Sequence, residues 1–204
     1  MFDHFMTEHK VYAKKEVILS AGALQSPKIL MLSGIGPKEQ LDRHKIISVA
    51  ERRGVGRNLM DHVSVAGMVF LVNTTEALLQ TDTVTTINIA RWFAGREGPL
   101  SSGWTEAIGF VNTKYGADYP WPDFQLVFVI ASLLSDDGFV FRRAYGMSDE
   151  LWAVYKPYIH RHSVLIFPVM LQPRSRGSVK LASWNPHDYP LIDANYFGNE
   201  YVFQ

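Results

Sequence analysis

The chain has 204 residues, of which 47% are hydrophobic and 20% are charged, and it contains no cysteine. This composition is typical of a folded core and excludes disulfide frameworks, thiolate metal sites and cysteine nucleophiles. Twenty Lys and Arg residues balance twenty Asp and Glu residues, so no net charge draws the chain to nucleic acid or to an anionic membrane. The longest uncharged runs, His62–Thr75 and Phe124–Ser135, are shorter than the roughly 18 apolar residues of a membrane-spanning helix.

The first predicted elements are a strand and a helix. Glu16–Ser20 is a short run with β-branched residues that breaks into the small residues Ala21–Ala23, which predicts a buried strand ending in a tight turn. Ser26 followed by Pro27 predicts the N-cap and the first position of a helix. The apolar surface of this helix continues until Gly34 ends it.

A second helix and a second strand are predicted next. Gly36-Pro37 predicts the start of a helix that ends near Lys45, with Leu41 as its main buried contact. Ile46–Ala50 has the composition of a strand. The segment Glu51–Asp61 carries two glycines and is predicted to be a loop.

The remainder of the chain is predicted to be richer in strands. The patterns predict strands at residues 63–72, 107–112, 124–131, 163–171 and 178–182, and helices at residues 83–94 and 148–155. Apolar and polar residues alternate only loosely in the strand at 63–72, which predicts a strand that is covered on both faces or lies at the centre of a sheet. Because few helices separate the last four strands, we expect them to form one antiparallel sheet.

The two parts of the chain are predicted to differ in fold class. Residues 1–62 have the element order of an α/β layer but too few strands for a complete domain. Residues 63–204 are predicted to form an α+β domain, in which helices flank a mainly antiparallel sheet.

A glycine-rich segment near residue 56 is the first candidate for binding chemistry. Gly54–Leu59 begins like a dinucleotide-binding loop, but Leu59 stands where the third glycine is needed. For the glycines alone, an ordinary turn is the simpler interpretation. The dense polar set in and after this segment favours a cradle for a phosphate or a ribose; it consists of Arg57, Asn58, Asp61 and His62. From the residues alone, both interpretations stay open.

Other suggestive residues have ordinary explanations. His160 and His162 have a spacing that permits joint metal ligation from a strand, but no carboxylate lies near them in the sequence. We interpret them as polar residues at the start of a strand, and no metal site is predicted. No nucleophile elbow and no P-loop occurs, so a stand-alone hydrolase, a nucleotide triphosphatase or a lectin-like sheet protein has no support in the sequence.

Two segments carry a family resemblance. Residues 21–37, AGALQSPKILMLSGIGP, resemble the second signature of the glucose–methanol–choline (GMC) flavoprotein oxidoreductases. In that signature small residues, Ser-Pro, an aliphatic pair and Ser-Gly-x-Gly recur at these separations. Residues 54–62, GVGRNLMDH, resemble the next block of the family, with Met60 where glutamine is frequent.

Further blocks follow in the order found in insect glucose-dehydrogenase-like members. They are Gly98–Leu100, Glu106–Phe110, Pro122–Leu126 and Pro173–Val179. Pro190–Phe197 is similar to the segment that leads out of the family's substrate domain, so a return toward the first domain is implied near residues 190–204. The resemblance covers nearly the whole chain, from Lys14 to Phe197.

The resemblance implies an FAD-dependent oxidation of an alcohol or a sugar, in which the hydroxyl loses its proton to a base and a hydride passes to the flavin. Residues 1–62 would belong to the FAD-binding domain and residues 63–204 to the substrate domain. The implied cofactor-binding residues are, beside the adenosine half, Ser20, Ala21, Gly22 and Ala23, and, near the flavin side, Asn58, Leu59, Asp61 and His62.

Two parts of the family pattern have no counterpart in this sequence. They are the glycine-rich phosphate loop, which belongs upstream of residue 1, and the histidine block that supplies the base, so no catalytic residue is assigned. We expect an internal piece of a GMC enzyme that is inactive and holds no stable flavin alone. The alternative is a truncated, flavin-free binding or interaction module.

Localisation, the substrate, the electron acceptor and the oligomeric state are left open by the sequence. The first ten residues lack the basic start, apolar stretch and cleavage site of a secretory signal. Insect members of the family are often secreted, which keeps an extracellular location open.

Overall fold

The computed structural model describes residues 2–4, 7–65, 67–116 and 120–198. The chain divides into two units, the first comprising residues 1–61 and 174–204 and the second residues 62–173. The chain rejoins the first unit at Arg174, and the return toward the first domain implied near residues 190–204 stays a prediction. Residues 199–204 of that expected return lie outside the described residues.

The described residues form short helices and short strands. The helices are α1 (Gly22–Leu32), α2 (Lys38–Arg43), α3 (Gln80–Thr83), α4 (Thr86–Gly95), α5 (Phe141–Ala144) and α6 (Asp149–Tyr155), and 3₁₀ turns occupy Pro99–Ser101 and Lys156–Tyr158. The strands are β1 (Phe2–His4), β2 (Thr7–His9), β3 (Ile35–Gly36), β4 (Ala50–Glu51), β5 (Arg57–Leu59), β6 (Val63–Ser64), β7 (Val69–Leu71), β8 (Thr105–Val111), β9 (Phe124–Val129), β10 (Ser163–Met170), β11 (Gly177–Lys180) and β12 (Leu191–Asp193).

Three small sheets and a compact apolar cluster build the first unit. β1 pairs with β2, β3 pairs in parallel with β4, and β11 lies between β12 and β5 in an antiparallel sheet. The cluster joins Met31 of α1, Leu41 of α2 and Leu181, which directly follows β11. Met31 and Leu41 are fully buried, so α1 and α2 are held against the end of β11 by burial of apolar surface.

Helix α1 begins earlier than predicted. Ser26 was expected to be the N-cap, but Ala21 holds that position, and the Ser26 hydroxyl instead accepts a hydrogen bond from the Ala21 N–H at 3.0 Å. Pro27 therefore lies inside the helix. The predicted end at Gly34 is confirmed, because Gly34 has a φ of 80° and a Cβ there would lie 2.4 Å from the Ile47 carbonyl oxygen.

The strand predictions for the first unit are partly wrong. Glu16–Ser20 forms no strand, and Val17 and Ile18 are more than four-fifths exposed, because no described strand pairs with this segment. Of Ile46–Ala50, only Ala50 lies in a strand. The segment 51–61, predicted to be a loop, contains β5, which pairs with β11. The second helix is confirmed as α2, with Leu41 buried.

An antiparallel sheet organises the second unit, as predicted. The strand order is β6-β10-β9-β8, and β7 also pairs with β10. The predicted strands at 107–112, 124–131 and 163–171 correspond to β8, β9 and β10. The one predicted at 178–182 corresponds to β11, which joins the sheet of the first unit because its partners are β5 and β12.

Two long elements predicted for the second unit are each divided into two. Residues 63–72 form the short strands β6 and β7, and Phe70 and Leu71 are exposed on a segment predicted to be covered or to lie at the centre of a sheet. The helix predicted at 83–94 is α3 followed by α4, because the Thr85 side chain accepts the Asn88 N–H and starts a new helix. The helix predicted at 148–155 is confirmed as α6.

Candidate functional site

The first block of predicted site residues lies at the start of α1. Ser20 and Ala21 precede the helix, Gly22 and Ala23 open it, and all four are exposed. Gly22 has a φ of 84°, and apart from its own helix backbone and chain neighbours no atom of the described residues lies within 4 Å of the place where its Cβ would stand. No side chain caps this end and no acidic residue lies in the first turn, so the first-turn N–H groups keep their capacity to donate to a ligand.

The second block lies on and after β5. Asn58 is exposed with a φ of 58°, while Leu59 is half-buried and pairs with Gly177 of β11. Asp61 is exposed and ends the first segment of the first unit. His62 belongs to the second unit.

A cleft of about 840 Å³ in the first unit brings three of the predicted residues together. Ala23 comes from the first block, and Leu59 and Asp61 come from the second. The other lining residues are Leu24, Met60, Ile192, Asp193, Ala194, Asn195 and Tyr196. The sequence analysis implied a return toward the first domain near residues 190–204, but it named none of residues 192–196 as a site residue.

A hydrogen bond joins two of the residues that line this cleft. The Tyr196 hydroxyl donates to the Asp61 carboxylate. This hydrogen bond, together with burial and the negative charge of Asp61, raises the pKa of Tyr196 above its ordinary value of 10.0. The phenol therefore stays protonated at neutral pH, and the pair offers a carboxylate and a hydroxyl to a ligand in the cleft.

Asn58 lines a different cleft, of about 450 Å³. Arg57 and Asn58 of β5 line it together with Gly177–Lys180 of β11. Gln40 also lines it, and its buried Oε1 has no hydrogen-bond partner among the described residues. The structure thus separates Asn58 from Leu59, as expected for successive side chains of a strand.

The two histidines whose spacing permits joint ligation, His160 and His162, have separate partners. The His160 Nε2 lies 2.9 Å from the Asp137 carboxylate, and the His162 Nδ1 lies 3.0 Å from the Ala77 carbonyl oxygen. Both residues precede β10, whose first residue is Ser163. The described residues contain no group of three or more His, Asp and Glu suited to a metal ion.

Within the same residues, no helix combines the length and apolarity that crossing a membrane requires.

Comparisons with known proteins give one consistent result. A family model described as GMC oxidoreductase matches residues 2–64. The chain is 35% identical over 201 residues to glucose dehydrogenase [FAD, quinone] of Drosophila melanogaster, which covers 97% of this chain and 29% of the relative. It is 33% identical over 191 residues to an oxygen-dependent choline dehydrogenase of Brucella anthropi. This match covers 93% of this chain and 31% of the relative.

A solved structure has the same fold over most of the chain. It is a formate oxidase of Aspergillus oryzae studied for the effect of a mutation on FAD modification, with a TM-score of 0.71 and 29% identity. The likeness covers 93% of this chain and 34% of that chain. The chain thus spans about a third of the length of these proteins. The ordered sequence blocks, the family match and this shared fold agree, and the chain belongs to the GMC oxidoreductase family.

Proposed function

We propose that this chain is part of an FAD-dependent oxidoreductase that oxidises CH–OH groups of an alcohol or a sugar. The observation that carries the proposal is the cleft that joins Ala23 of the first family block to Leu59 and Asp61 of the second. The relatives support the choice of cofactor, since the Drosophila enzyme is named for glucose, FAD and quinone and the Aspergillus enzyme was studied for its FAD.

The residues around the cleft fit a dinucleotide cofactor. The uncapped first turn of α1, with open space above Gly22, suits the oxygen atoms of a phosphate or a ribose. Asp61 and Tyr196 add a hydrogen-bonding pair, and Leu59 and Ile192 add apolar surface. We therefore propose Ser20–Ala23 beside the adenosine half of FAD.

The second block is proposed to lie toward the flavin side, with Asn58, Leu59, Asp61 and His62 as its members. When bound, FAD would supply the hydride acceptor. The chain's own residues would bind and orient it: first-turn N–H groups of α1 would donate hydrogen bonds, and Leu59 would exclude water. The first unit is proposed as part of the FAD-binding domain, and the second unit as part of the substrate domain.

The short coverage of the relatives supports an incomplete enzyme. Because the chain spans only 29% of the Drosophila relative, we propose that it does not oxidise alcohols by itself. Titrating residues 1–204 with FAD, while following flavin fluorescence and adding alcohols, tests this. We expect weak binding at most and no alcohol-dependent loss of the yellow colour. Tight binding with bleaching would contradict the proposal, and tight binding without bleaching would favour a binding module.

A chimera tests the cofactor site directly. In this chimera, the chain would replace the matched 201 residues of the Drosophila glucose dehydrogenase. Two quantities would be measured: the amount of bound flavin, and the rate at which glucose or other alcohols reduce a dye. We expect the chimera to hold FAD and Ala23→Trp, which fills the cleft, to lower its flavin content at least tenfold. The matched control is Ala13→Trp, because Ala13 is exposed and does not line the cleft. A folded chimera whose flavin content is unaffected by Ala23→Trp would refute the site.

A further inference from the structure

The second unit contains a cavity of about 130 Å³ near α3, α5 and the residues that follow β9. Its wall is mainly apolar and includes Leu79, Trp104, Ala131 and Phe141. An engineered apolar cavity of about 150 Å³ is known to bind benzene, so a chamber of this size accepts one aromatic ring.

One buried polar atom in the lining lacks a partner. Thr83 is 1% exposed, and its Oγ1 makes no hydrogen bond to any described residue. A buried hydroxyl left unpaired is unfavourable, so a ligand that supplies a partner gains binding free energy. A ligand hydroxyl suits this position, because it can donate to or accept from Thr83.

The Asp136 carboxylate, which also lines the cavity, already has hydrogen-bond partners. The Asp136 Oδ1 accepts the Gly138 N–H at 3.0 Å, and its Oδ2 accepts the N–H groups of Val140 and Phe141 at 2.6 and 3.3 Å. Among the described residues, no lysine, arginine or histidine lines the cavity, and the Asp136 carboxylate disfavours an anion. The lining therefore disfavours an anionic ligand, and the three N–H groups that the Asp136 carboxylate accepts weaken its attraction for a cation.

Trp104 forms the aromatic wall in an unusual backbone conformation. Its φ of 64° is rare for a bulky residue, and it is held by a hydrogen bond from the Ile130 N–H to the Trp104 carbonyl oxygen at 3.0 Å. The rings of Trp104 and Phe141 lie 5.7 Å apart with a tilt of 37°. Strained backbone is often retained where it shapes a binding site.

The cavity is accessible from solvent. Val84 and Val140 line it, yet 54% and 46% of their surfaces are exposed. These two side chains therefore form a rim between the cavity and solvent.

From this lining we infer a binding site for a small, uncharged aromatic alcohol, with its ring against Trp104 and Ala131 and its hydroxyl bonded to Thr83. The inference is independent of the proposed flavin site, since its residues belong to the second unit alone and binding needs no cofactor.

Fluorine NMR with two matched probes tests the site on residues 1–204. We expect 4-fluorobenzyl alcohol to bind about twofold to tenfold more tightly than 4-fluorotoluene, the ratio that one net hydrogen bond supplies. Thr83→Val, which keeps the side-chain shape, should abolish or reverse this preference, because the hydroxyl of the alcohol is then buried without a partner. Thr81→Val is the matched control, because Thr81 is exposed on the same helix and does not line the cavity.

A second measurement locates the bound probe. Ala131→Leu fills the chamber and should abolish binding of both probes. If this variant does not fold, nuclear Overhauser contacts between the probe and the Ala131 methyl group in the unmodified chain give the location instead. The inference is overturned if neither probe binds at millimolar concentration, if Thr83→Val keeps the preference for the alcohol, or if the contacts arise elsewhere.

Discussion

At residue 56, a carbonyl oxygen of β11 fills the space that a side chain would need. A Cβ on Gly56 would lie 2.1 Å from the Val179 carbonyl oxygen, and its φ of 75° is unfavourable for other residues. The Val179 N–H also donates to the Gly56 carbonyl oxygen at 2.7 Å, so neither backbone can move away without losing this bond.

We expect Gly56→Ala to lower the free energy of unfolding of the first unit by about 2 kcal/mol or more, from backbone strain and the lost contact with β11. The matched control is Gly54→Ala, because a Cβ on Gly54 would meet no atom of the described residues within 4 Å, apart from its two chain neighbours, and Gly54 has no positive φ. Urea unfolding followed by circular dichroism measures both variants. Equal stability of the two would show that the close approach to Val179 is not needed.

A buried carboxylate makes the second unit sensitive to acid. Burial alone would raise the pKa of Asp123, but hydrogen bonds from the Thr113 hydroxyl and the Thr113 N–H outweigh it and hold the pKa below the ordinary value of 3.8. A lowered pKa stabilises the fold above the unfolded value, and this contribution is lost as pH falls through the folded value.

We expect Thr113→Val to cost about 1.5 kcal/mol or more at pH 6, because a hydrogen bond to a charged group is removed. The difference from the unmodified chain should shrink as pH falls below 3.8 and through the lowered pKa of Asp123 in the folded chain. Thr113→Ser keeps both donors and serves as the control. Urea midpoints at pH 6, 4 and 3 measure the effect, and a loss that does not change with pH would mean that only packing was altered.

At the scale of elements, one side chain decides where α4 begins. The Thr85 Oγ1 accepts the Asn88 N–H at 3.2 Å. We expect Thr85→Ala to destabilise the second unit by about 1 kcal/mol, since an N-terminal donor of the helix loses its partner. Thr86→Ala, one residue later in an exposed helical position, should be neutral or slightly stabilising. If urea unfolding gave equal losses for the two alanine variants, the capping role of Thr85 would be refuted.

Local signals located some elements well and others poorly. Gly34 and Ser148 end and start their helices as predicted, because turn and cap chemistry depends on residues adjacent in sequence. β5 was missed because Arg57–Leu59 has no apolar alternation, and only its pairing with β11 makes it a strand. Glu16–Ser20 shows the reverse case, a run with strand composition that lacks a described partner.

At the scale of the whole molecule, the balance of acidic and basic residues determines how solubility depends on pH. Equal numbers of acidic and basic residues give a net charge of zero at pH 7 and a pI of about 7.1. We expect the solubility of residues 1–204 to be lowest near pH 7 and to rise on both sides, because repulsion between molecules vanishes at zero net charge. Precipitation by polyethylene glycol between pH 5 and pH 9 measures this. A solubility that changes in one direction only across this range would contradict the expectation.

Sequence alone determined the family resemblance, the three long strands of the second unit and several helix ends. These features depend on residue order, periodicity and turn chemistry, which are local. Tertiary structure alone decided that β11 joins the first unit, that residues 192–196 share a cleft with Ala23 and Asp61, and that Thr83 is buried without a partner among the described residues. Such features depend on which distant segments meet, and the free energy that selects those meetings comes from pairing and burial across the chain.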